Sequence, residues 1–574
     1  MNEKLTVADF FCGAGGISEG FRQKGFEVVF AMDYWEPAIE THQKNHPEAD
    51  HVLMDIKNMD ADEIDEYIPD VDVIVGGPPC QNFSRSNKAG KADKSEGLHL
   101  IEHFLRIVAW KMEHGDLKYW AMENVPPTAN HLKDKYTWDE LQLPGEGSDL
   151  VIEKKPVHHA VDYGAPQSRR RMVAGNYPEL EKRRDEDNWK TVQDVFDKLG
   201  DPLNPETAPD IIEDPNHDRE VSKKELTDHF YDTRVEEYRW KAARRKKEDH
   251  GFMGKMSFPE KTDEPSRTVM ATRSASTREA MIFGGEKNED GNYKNYRLPT
   301  VREIACFSAF PLTYQFEAST ETKKFRLIGN AVPVKLSSAI AEAIAKEEGM
   351  EIPDEIPDLP NPELENELTG KEREFRSPRK RREDSKFDRH IPYLKTKAFR
   401  PSINNQKSDF ENDEVKWEAV LHKGVGRNAQ EGRAELSTIE EVIRKGKSGQ
   451  TRLGSVEDSY NISEKMNNFQ DELEKRFQNK LPDAEEFQRI YTRRSSSDKF
   501  GPHDALDELK ELIDELFPQE EFKEVYLDNS DRKIEVPDDD IPVRIAVGFY
   551  GCEYVTQIVN DGGSKKAKAV META

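Results

Sequence analysis

Short apolar runs alternate with longer stretches of helical periodicity along the first 125 residues. The apolar runs predict five strands, over residues 5–11, 27–32, 51–54, 71–75 and 119–122. The stretches between them space apolar residues three and four positions apart and predict helices over residues 17–24, 35–45 and 98–114. This alternation predicts an α/β fold whose ligands bind at the carboxyl ends of the strands.

The ends of the first three predicted strands carry residues suited to an adenosine-bearing cofactor. The first strand runs into a glycine-rich turn at residues 12–16 and then into a helix, as a nucleotide-binding α/β unit does. Asp33 ends the second strand and can accept hydrogen bonds from ribose hydroxyls, and Asp55 ends the third and can accept from an adenine amino group. The alternative for both carboxylates is helix capping or turn formation.

A stiff loop follows the fourth predicted strand and presents a thiol. Residues 76–81 (GGPPCQ) must turn sharply, because glycine frees the backbone and proline fixes it. Cys80 is therefore a candidate nucleophile at the carboxyl end of this strand, and the alternative is a buried, inert cysteine. Glu123 ends the fifth strand, so this carboxyl group and the thiol converge on one pocket if the two strands are neighbours.

The pattern changes beyond residue 175. Residues 185–249 are highly charged and carry a dense basic cluster over 239–247, which is either a solvated helix face or a phosphate-binding surface. A strand with basic residues is predicted over 265–273, and an amphipathic helix over 331–345. Residues 349–415 are proline- and acid-rich and then basic, which predicts a linker. Residues 416–574 predict an α+β accessory domain of unknown function, with helices over 439–444, 466–481 and 506–516 and a strand over 543–559.

Composition and charge restrict the class of protein. A chain of 574 residues is too long for one core, and it has no apolar run long enough to cross a membrane. Its start lacks the apolar stretch of a signal peptide, and its four scattered cysteines suit a reducing cytoplasm and indicate no structural metal. Because the formal net charge is −28, binding to nucleic acid requires basic groups that are concentrated locally.

Six motifs resemble, in the same order, those of the DNA cytosine-5 methyltransferases of the prokaryotic restriction–modification type. They are residues 9–16 (DFFCGAGG), 77–81 (GPPCQ), 123–125 (ENV), 167–171 (QSRRR), 297–303 (RLPTVRE) and 329–333 (GNAVP). The departures are mild: Asp33 stands where the family more often has Glu, and Pro299 and Cys306 are unusual in their motif.

The resemblance implies a Rossmann-like class I methyltransferase sheet and a covalent mechanism. Cys80 attacks C6 of a flipped-out cytosine, and Glu123 holds the N3 edge and the exocyclic amine. Arg169 reaches O2 of the base, and Arg171 braces the loop or a phosphate. The implied domains are a catalytic domain at residues 1–175, a target-recognition domain at 176–295 and a return to the catalytic domain at 296–348.

The resemblance also implies ligand contacts. The residues expected to bind S-adenosyl-L-methionine are Phe11, Gly13, Gly15, Gly16, Asp33, Tyr34, Asp55, Ile56, Pro78, Leu100 and Asn330. Near the flipped base, DNA contacts are expected from Gln81, Ser84 and Arg85, and residues 85–91 form a basic loop that can close over the site. In the recognition domain, Arg267 and Arg273 are the candidates for guanine or phosphate contacts.

The expected partner is duplex DNA, bound by a monomer in the cytoplasm, and a cognate restriction endonuclease is a further candidate partner. One alternative is methylation of RNA, as in the tRNA-directed branch of the family, against which the long basic middle segment argues. Another is a DNA-binding regulator that uses the fold without turnover, against which the intact Cys80 and Glu123 argue.

Overall fold

The computed structural model divides the chain into two units, which are described separately. The first comprises residues 1–243 and 257–374, and the second comprises residues 244–256 and 375–574. The structure describes residues 4–79, 95–248, 256–289, 291, 293–359, 370–371, 382–392, 394, 399–412, 414–424, 429–444, 461–477, 479–493, 500–522, 525–536 and 540–563.

The first unit contains short strands and nine described helices. Its described strands are β1 (Thr6–Phe10), β2 (Glu27–Asp33), β3 (Asp50–Leu53), β4 (Val73–Gly76), β5 (Tyr119–Asn124), β6 (Lys135–Tyr136), β7 (Leu150–Val151), β8 (Val157–His159), β9 (Gln167–Ser168), β10 (Arg170–Gly175), β11 (Ile211–Glu213), β12 (Glu220–Ser222), β13 (Ser266–Arg267), β14 (Phe283–Gly284) and β15 (Tyr296–Arg297). Its described helices are α1 (Gly16–Arg22), α2 (Glu36–Asn45), α3 (Ile64–Tyr67), α4 (Ser95–His114), α5 (Val192–Leu199), α6 (Glu237–Glu248, whose end is counted in the second unit), α7 (Val301–Phe307), α8 (Glu321–Asn330) and α9 (Val334–Glu347).

The central sheet has seven strands in the order β3-β2-β1-β4-β5-β10-β8. The first five predicted strands pair in parallel, which confirms the prediction of an α/β fold with a Rossmann-like sheet, and β10 runs antiparallel to both β5 and β8. Because the strand order reverses between β1 and β4, a crevice opens at the carboxyl ends of these strands.

Both faces of the sheet are covered, as the continuous apolar pattern of β4 requires. Val73 and Val75 face the core that α1 and α9 complete, and Ile74 between them faces the core that α4 completes. Helix α9 begins after Pro333, slightly later than predicted, and packs beside α1. The stretch Glu321–Glu347 is apolar enough to span a membrane by composition, but 78% of its most apolar window is buried inside the protein.

The recognition segment, residues 176–295, has little regular structure. The strand predicted over residues 265–273 is limited to Ser266–Arg267, which pairs in parallel with β9. Helix α5 packs against α7, and the segment shares an apolar core with α7 and α8 of the returning chain. The recognition segment therefore packs against the returning motifs.

The second unit is built from antiparallel strands and helices, as an α+β domain is. Its described elements are β16 (Asp388–His390), β17 (Phe399–Asn404), β18 (Glu418–Lys423), β19 (Gln430–Gly432), α10 (Leu436–Arg444), α11 (Ile462–Phe477), α12 (Ala484–Arg493), α13 (Pro502–Leu516), α14 (Gln519–Phe522), β20 (Tyr526–Asp528), β21 (Asp540–Pro542) and α15 (Val543–Asn560). Strands β16 to β19 form one antiparallel sheet.

Two predictions for the carboxyl-terminal part need correction. The strand predicted over residues 543–559 is wrong, because this stretch is the helix α15, which is buried on most of its surface and so lacks the polar face that marks a helix in sequence. The linker predicted over residues 349–415 contains β16 and β17, and Leu359 within it is buried in a core of the first unit. The prolines and charged residues of this stretch are typical of linkers, so its composition did not indicate these ordered parts.

Candidate active site

The glycine-rich turn after β1 is held in place by other parts of the chain on several sides. Gly13 and Gly15 have φ angles of +54° and +77°, a region that favours glycine. Tyr314 Oη donates a hydrogen bond to the carbonyl of Ala14 at 2.6 Å, and a Cβ on Gly15 would lie 2.3 Å from that same Oη. A Cβ on Gly16 would lie 2.2 Å from the carbonyl oxygen of Val332. Only glycine fits where the returning chain presses on this turn.

Asp33 ties the turn to the end of β2. Its Oδ2 accepts a hydrogen bond from the backbone N–H of Gly13 at 3.0 Å, and its Oδ1 accepts from that of Trp35 at 2.9 Å. Burial raises the pKa of Asp33, although its backbone hydrogen bonds and the nearby Arg326 act in the opposite direction. Asp55 accepts from the backbone N–H of Lys57 at 3.1 Å and caps the short helix that follows. Each carboxylate therefore also stabilises the local backbone, Asp33 at the turn and Asp55 as a helix cap.

A pocket of about 230 Å³ opens at the carboxyl ends of β1, β2 and β3. Its lining residues are Phe11, Met32, Asp33, Tyr34, Met54, Asp55, Ile56, Lys57, Pro79, Gly97 and Leu100. Six of the residues predicted to bind a cofactor thus surround one cavity, whereas Gly13, Gly15, Gly16, Pro78 and Asn330 are not among its lining residues. Five further lining residues were not predicted, namely Met32, Met54, Lys57, Pro79 and Gly97, and the signal for them was their position close in sequence to predicted residues.

Glu123 lies beside the loop that carries the candidate nucleophile. Strands β4 and β5 are neighbours, with Gly76 opposite Met122, as the convergence argument required. A Cβ on Gly77 would lie 3.5 Å from Oε2 of Glu123, and Asn124 Nδ2 donates to the carbonyl of Pro78 at 3.1 Å. Residues 80–94 lie outside the described part of the chain, so Cys80, Gln81, Ser84 and Arg85 remain sequence predictions.

The two arginines of the QSRRR motif have different surroundings. Arg171 Nε lies 2.5 Å from Oε1 of Glu123, and both side chains are largely buried. Arg169 is 3% exposed and donates hydrogen bonds to the carbonyls of Val269 and Gly329, each at 3.1 Å. The two hydrogen bonds to backbone carbonyls give Arg169 a structural function, whereas Arg171 faces Glu123; the contacts predicted for both arginines at the base stay predictions.

The two arginines predicted to contact DNA in the recognition segment are engaged within the chain. Arg267 Nε lies 2.9 Å from Glu260 Oε2 and also donates to the carbonyl of Glu279 at 2.6 Å. Arg273 pairs with Glu321 at 2.7 Å and lies over the ring of Phe325. A DNA contact by either side chain would have to replace these ion pairs, and both contacts stay predictions.

The sheet order, the glycine turn and the pocket at the switch point together define a Rossmann-like class I methyltransferase. A family model for the C-5 cytosine-specific DNA methylases matches residues 5–346. The chain belongs to this family and is a DNA cytosine-5 methyltransferase. Residues 347–574 lie outside the match.

Relatives and solved structures cover the same share of the chain. A type II methyltransferase of Neisseria gonorrhoeae is 27% identical over 353 residues, which are 60% of this chain and 96% of that protein. A type II methyltransferase of Haemophilus parahaemolyticus is 29% identical over 360 residues, 60% of this chain and 87% of that protein. The crystal structure of the S. pombe Dnmt2 methyltransferase is 17% identical, covers 60% of this chain and 100% of its own, and has a TM-score of 0.40.

Proposed function

We propose that the chain methylates C5 of a cytosine that is flipped out of duplex DNA, with S-adenosyl-L-methionine as methyl donor and a covalent bond between Cys80 and C6. The observation that carries the proposal is the pairing of β4 with β5, which ties the loop before Cys80 to Glu123. A thiol and a carboxyl group on neighbouring strand ends are the pair that this chemistry needs.

The covalent step makes C5 reactive. Cytosine C5 is a poor nucleophile, but when the Cys80 thiolate adds to C6, the C5=C6 electrons become available at C5. After methyl transfer, loss of the C5 proton returns the electrons of the C–H bond to the ring, and the bond between C6 and sulfur breaks. Because C6 is stacked inside a duplex, the base must leave the helix before the thiolate can reach it.

Glu123 and Arg171 act on the base edge. Glu123 faces N3 and the exocyclic amine and stabilises the charge that builds on the ring when C6 is attacked. Arg171, 2.5 Å from Glu123, fixes the orientation of that carboxylate and places a positive charge near O2 of the base. Arg169 holds the backbone at Val269 and Gly329 in place and does not act on the base itself.

The pocket at the switch point has the chemistry of a site for an adenosine-bearing donor. Asp33 and Asp55 offer carboxylate oxygens for ribose hydroxyls and an adenine amine, and Phe11, Ile56 and Leu100 offer apolar surface for the ring. The turn at Gly13 has no Cβ to obstruct a ligand that approaches its backbone. S-adenosyl-L-methionine, when bound there, supplies a methyl group on a cationic sulfur.

The setting we propose is restriction–modification, because the curated relatives are type II methyltransferases. In that setting the chain acts as a monomer on DNA in the cytoplasm, with a cognate endonuclease as a candidate partner of residues 375–574. The recognition segment would read base edges in the major groove.

Bisulfite sequencing tests this function. Duplex DNA incubated with the protein and S-adenosyl-L-methionine should show protected cytosines within one recurring sequence, and Cys80→Ser protein should leave every cytosine convertible. A parallel reaction with tRNA tests the RNA alternative. Protection of tRNA without protection of the duplex, or of neither, would contradict the proposal.

A further inference from the structure

A short segment just beyond the family match links two cores of the first unit. We call residues 351–359 the strap; they follow the match, which ends at residue 346. At its start, Met350 and Ile352 pack against the core that α1 and α9 form on the catalytic sheet. At its end, Leu359 is buried in the core that the recognition segment shares with α7 and α8. The strap therefore anchors one end in each core.

Two arginines, one from each side, bind neighbouring carbonyls of the strap. Arg22, at the end of α1, donates from Nη1 to the carbonyls of Pro357 and Asp358 at 2.7 and 3.3 Å. Arg219, in the recognition segment, donates from Nη2 to the carbonyl of Ile356 and pairs with the Asp358 carboxylate at 2.9 Å. Charge-assisted hydrogen bonds of this kind are stronger than neutral ones. Three consecutive strap residues are thus bound from both sides.

Neither arginine is attached to a flexible element. Arg22 is 8% exposed, and its other nitrogens bind the buried carboxylate of Glu19 at 2.8 and 2.9 Å. Arg219 belongs to a loop whose buried Asp214 accepts hydrogen bonds from the backbone N–H groups of Asn216 and Leu312. The strap therefore connects two rigid points, and the connection is part of the folded unit.

The chain makes a second contact with the recognition segment after residues 360–369. The backbone N–H of Gly370 donates to the carbonyl of Phe230 at 2.8 Å, and that of Asp232 donates to the carbonyl of Lys371 at 3.1 Å. The segment is therefore held by chain that follows the catalytic domain, at two places.

We propose that Arg219 and Arg22 are positioning residues, which act through the strap to fix the recognition segment at the angle to the catalytic sheet that DNA requires. This inference rests on the proposed role of residues 176–295 in DNA recognition. If the strap is loose, the segment samples more orientations in the free protein, and DNA binding must select one of them. DNA affinity then falls, while the cofactor pocket, at the opposite end of α1 from Arg22, is unchanged.

The test uses substitutions in the full-length chain. Arg219→Ala removes the recognition side of the link, and Arg219→Lys keeps one charged donor for the strap. Arg22 is not substituted, because its removal would leave the buried Glu19 carboxylate without its positively charged partner. Arg106→Ala is the matched control: Arg106 is also a partly buried arginine that donates to a backbone carbonyl, that of Leu141 at 2.7 Å, and it lies on α4, outside the recognition segment.

The readouts are KM for DNA, KM for S-adenosyl-L-methionine and hydrogen exchange of the free protein. We expect Arg219→Ala to raise KM for DNA at least about fivefold, the lower range of coupling between linked sites, with KM for the methyl donor unchanged. Arg219→Lys should recover part of the loss, and Arg106→Ala should match the wild type. Exchange should increase in peptides from residues 192–231 and stay constant in β1 to β5.

Three results would overturn the inference. They are an unchanged KM for DNA in Arg219→Ala, an equal rise in both KM values, and faster exchange that is not accompanied by weaker DNA binding. Because the exchange readout needs no turnover, failure of the strap link is distinguishable from failure of the proposed methylation, which would show as absent activity in the wild type.

Discussion

Arg171 and Glu123 stand on adjacent antiparallel strands, and the guanidinium Nε of one lies 2.5 Å from a carboxylate oxygen of the other. The pair sits beside the loop that leads to Cys80. Two side chains of opposite charge, largely buried together, hold each other in one orientation. The carboxylate is therefore positioned before any base arrives.

Replacing Arg171 should impair turnover far more than binding. We expect Arg171→Ala to lower kcat about 100-fold, the usual cost of removing one group that stabilises developing charge, with little change in KM for the methyl donor. Steady-state methyl-transfer assays check this. The exposed neighbour Arg170 provides the control, since Arg170→Ala should keep kcat within about twofold. Equal effects of the two substitutions would contradict the assignment.

Replacing Arg169 should affect stability first. The buried guanidinium donates to the carbonyls of Val269 and Gly329, so Arg169→Ala leaves two buried acceptors without their donor. We expect a loss of about 2–3 kcal/mol in the free energy of unfolding, measured by chemical denaturation. Arg171→Ala under the same conditions should lose less. If Arg171→Ala lost more stability than Arg169→Ala, the structural role would belong to Arg171 instead.

Cys80 should be indispensable for methyl transfer. We expect Cys80→Ser to lower the rate at least about 1,000-fold, because a hydroxyl is a far weaker nucleophile than a thiolate. Binding of radiolabelled S-adenosyl-L-methionine should persist, since the pocket lies on the preceding strands. Cys552→Ala, at a buried cysteine of the second unit, should keep full transfer. A Cys80→Ser protein with normal activity would exclude the covalent mechanism.

Gly15 should tolerate no side chain. A Cβ there would lie 2.3 Å from Tyr314 Oη, and the positive φ of Gly15 would strain any other residue. We therefore expect Gly15→Ala to lower the free energy of unfolding by more than about 3 kcal/mol and to weaken donor binding. Gly349→Ala isolates the strain, because Gly349 has a φ of +62° and a Cβ added there would have no neighbouring atom within 4 Å; it should cost about 1 kcal/mol. Adding Tyr314→Phe to Gly15→Ala should restore part of the loss. Calorimetry measures the stability, and isothermal titration measures donor binding. Wild-type values of both for Gly15→Ala would contradict this prediction.

Stability should fall as the pH rises through the range set by Asp9. Burial raises the pKa of Asp9 to about 7, against the opposing hydrogen bonds from Ser18. Between about pH 4 and pH 7, Asp9 is therefore protonated in the folded chain and ionised in the unfolded chain. The stability that this proton contributes is fully present below about pH 4 and is lost as the pH rises through about 7. We expect a loss of up to about 4 kcal/mol from this group, and Asp9→Asn should flatten the pH dependence of unfolding. An unchanged profile in Asp9→Asn would rule Asp9 out as its source.

The sequence predicts the catalytic sheet well because its strands are apolar on both faces and end in residues with distinct chemistry. Residues 71–75 and Glu123 illustrate this, since strand pairing alone brings their ends together. The sequence could not distinguish the two arginines of the QSRRR motif, because the carbonyls that Arg169 binds belong to residues 100 and 160 positions later in the chain, whereas Arg171 pairs with Glu123 of a neighbouring strand. The same holds for Arg267 and Arg273, whose acidic partners no local pattern announces.

Helix α15 and the strap show a second limit. A helix buried on most sides loses the polar face that identifies it, so its valines and isoleucines favour a strand in sequence. In the strap, proline and acidic residues are typical of linkers, yet carbonyls are bound there by arginines more than 130 residues away. Composition describes side chains, whereas these contacts are made to the backbone.

The glycine turn that opens the chain is completed by Tyr314 and Val332, which lie some 300 residues later. A ribosome adds about 5–20 residues each second, so the turn waits on the order of tens of seconds for the groups that shape it. Throughout that interval the nascent polypeptide lacks a finished donor site. Synthesis itself thus delays methylation until the whole catalytic region has left the exit tunnel.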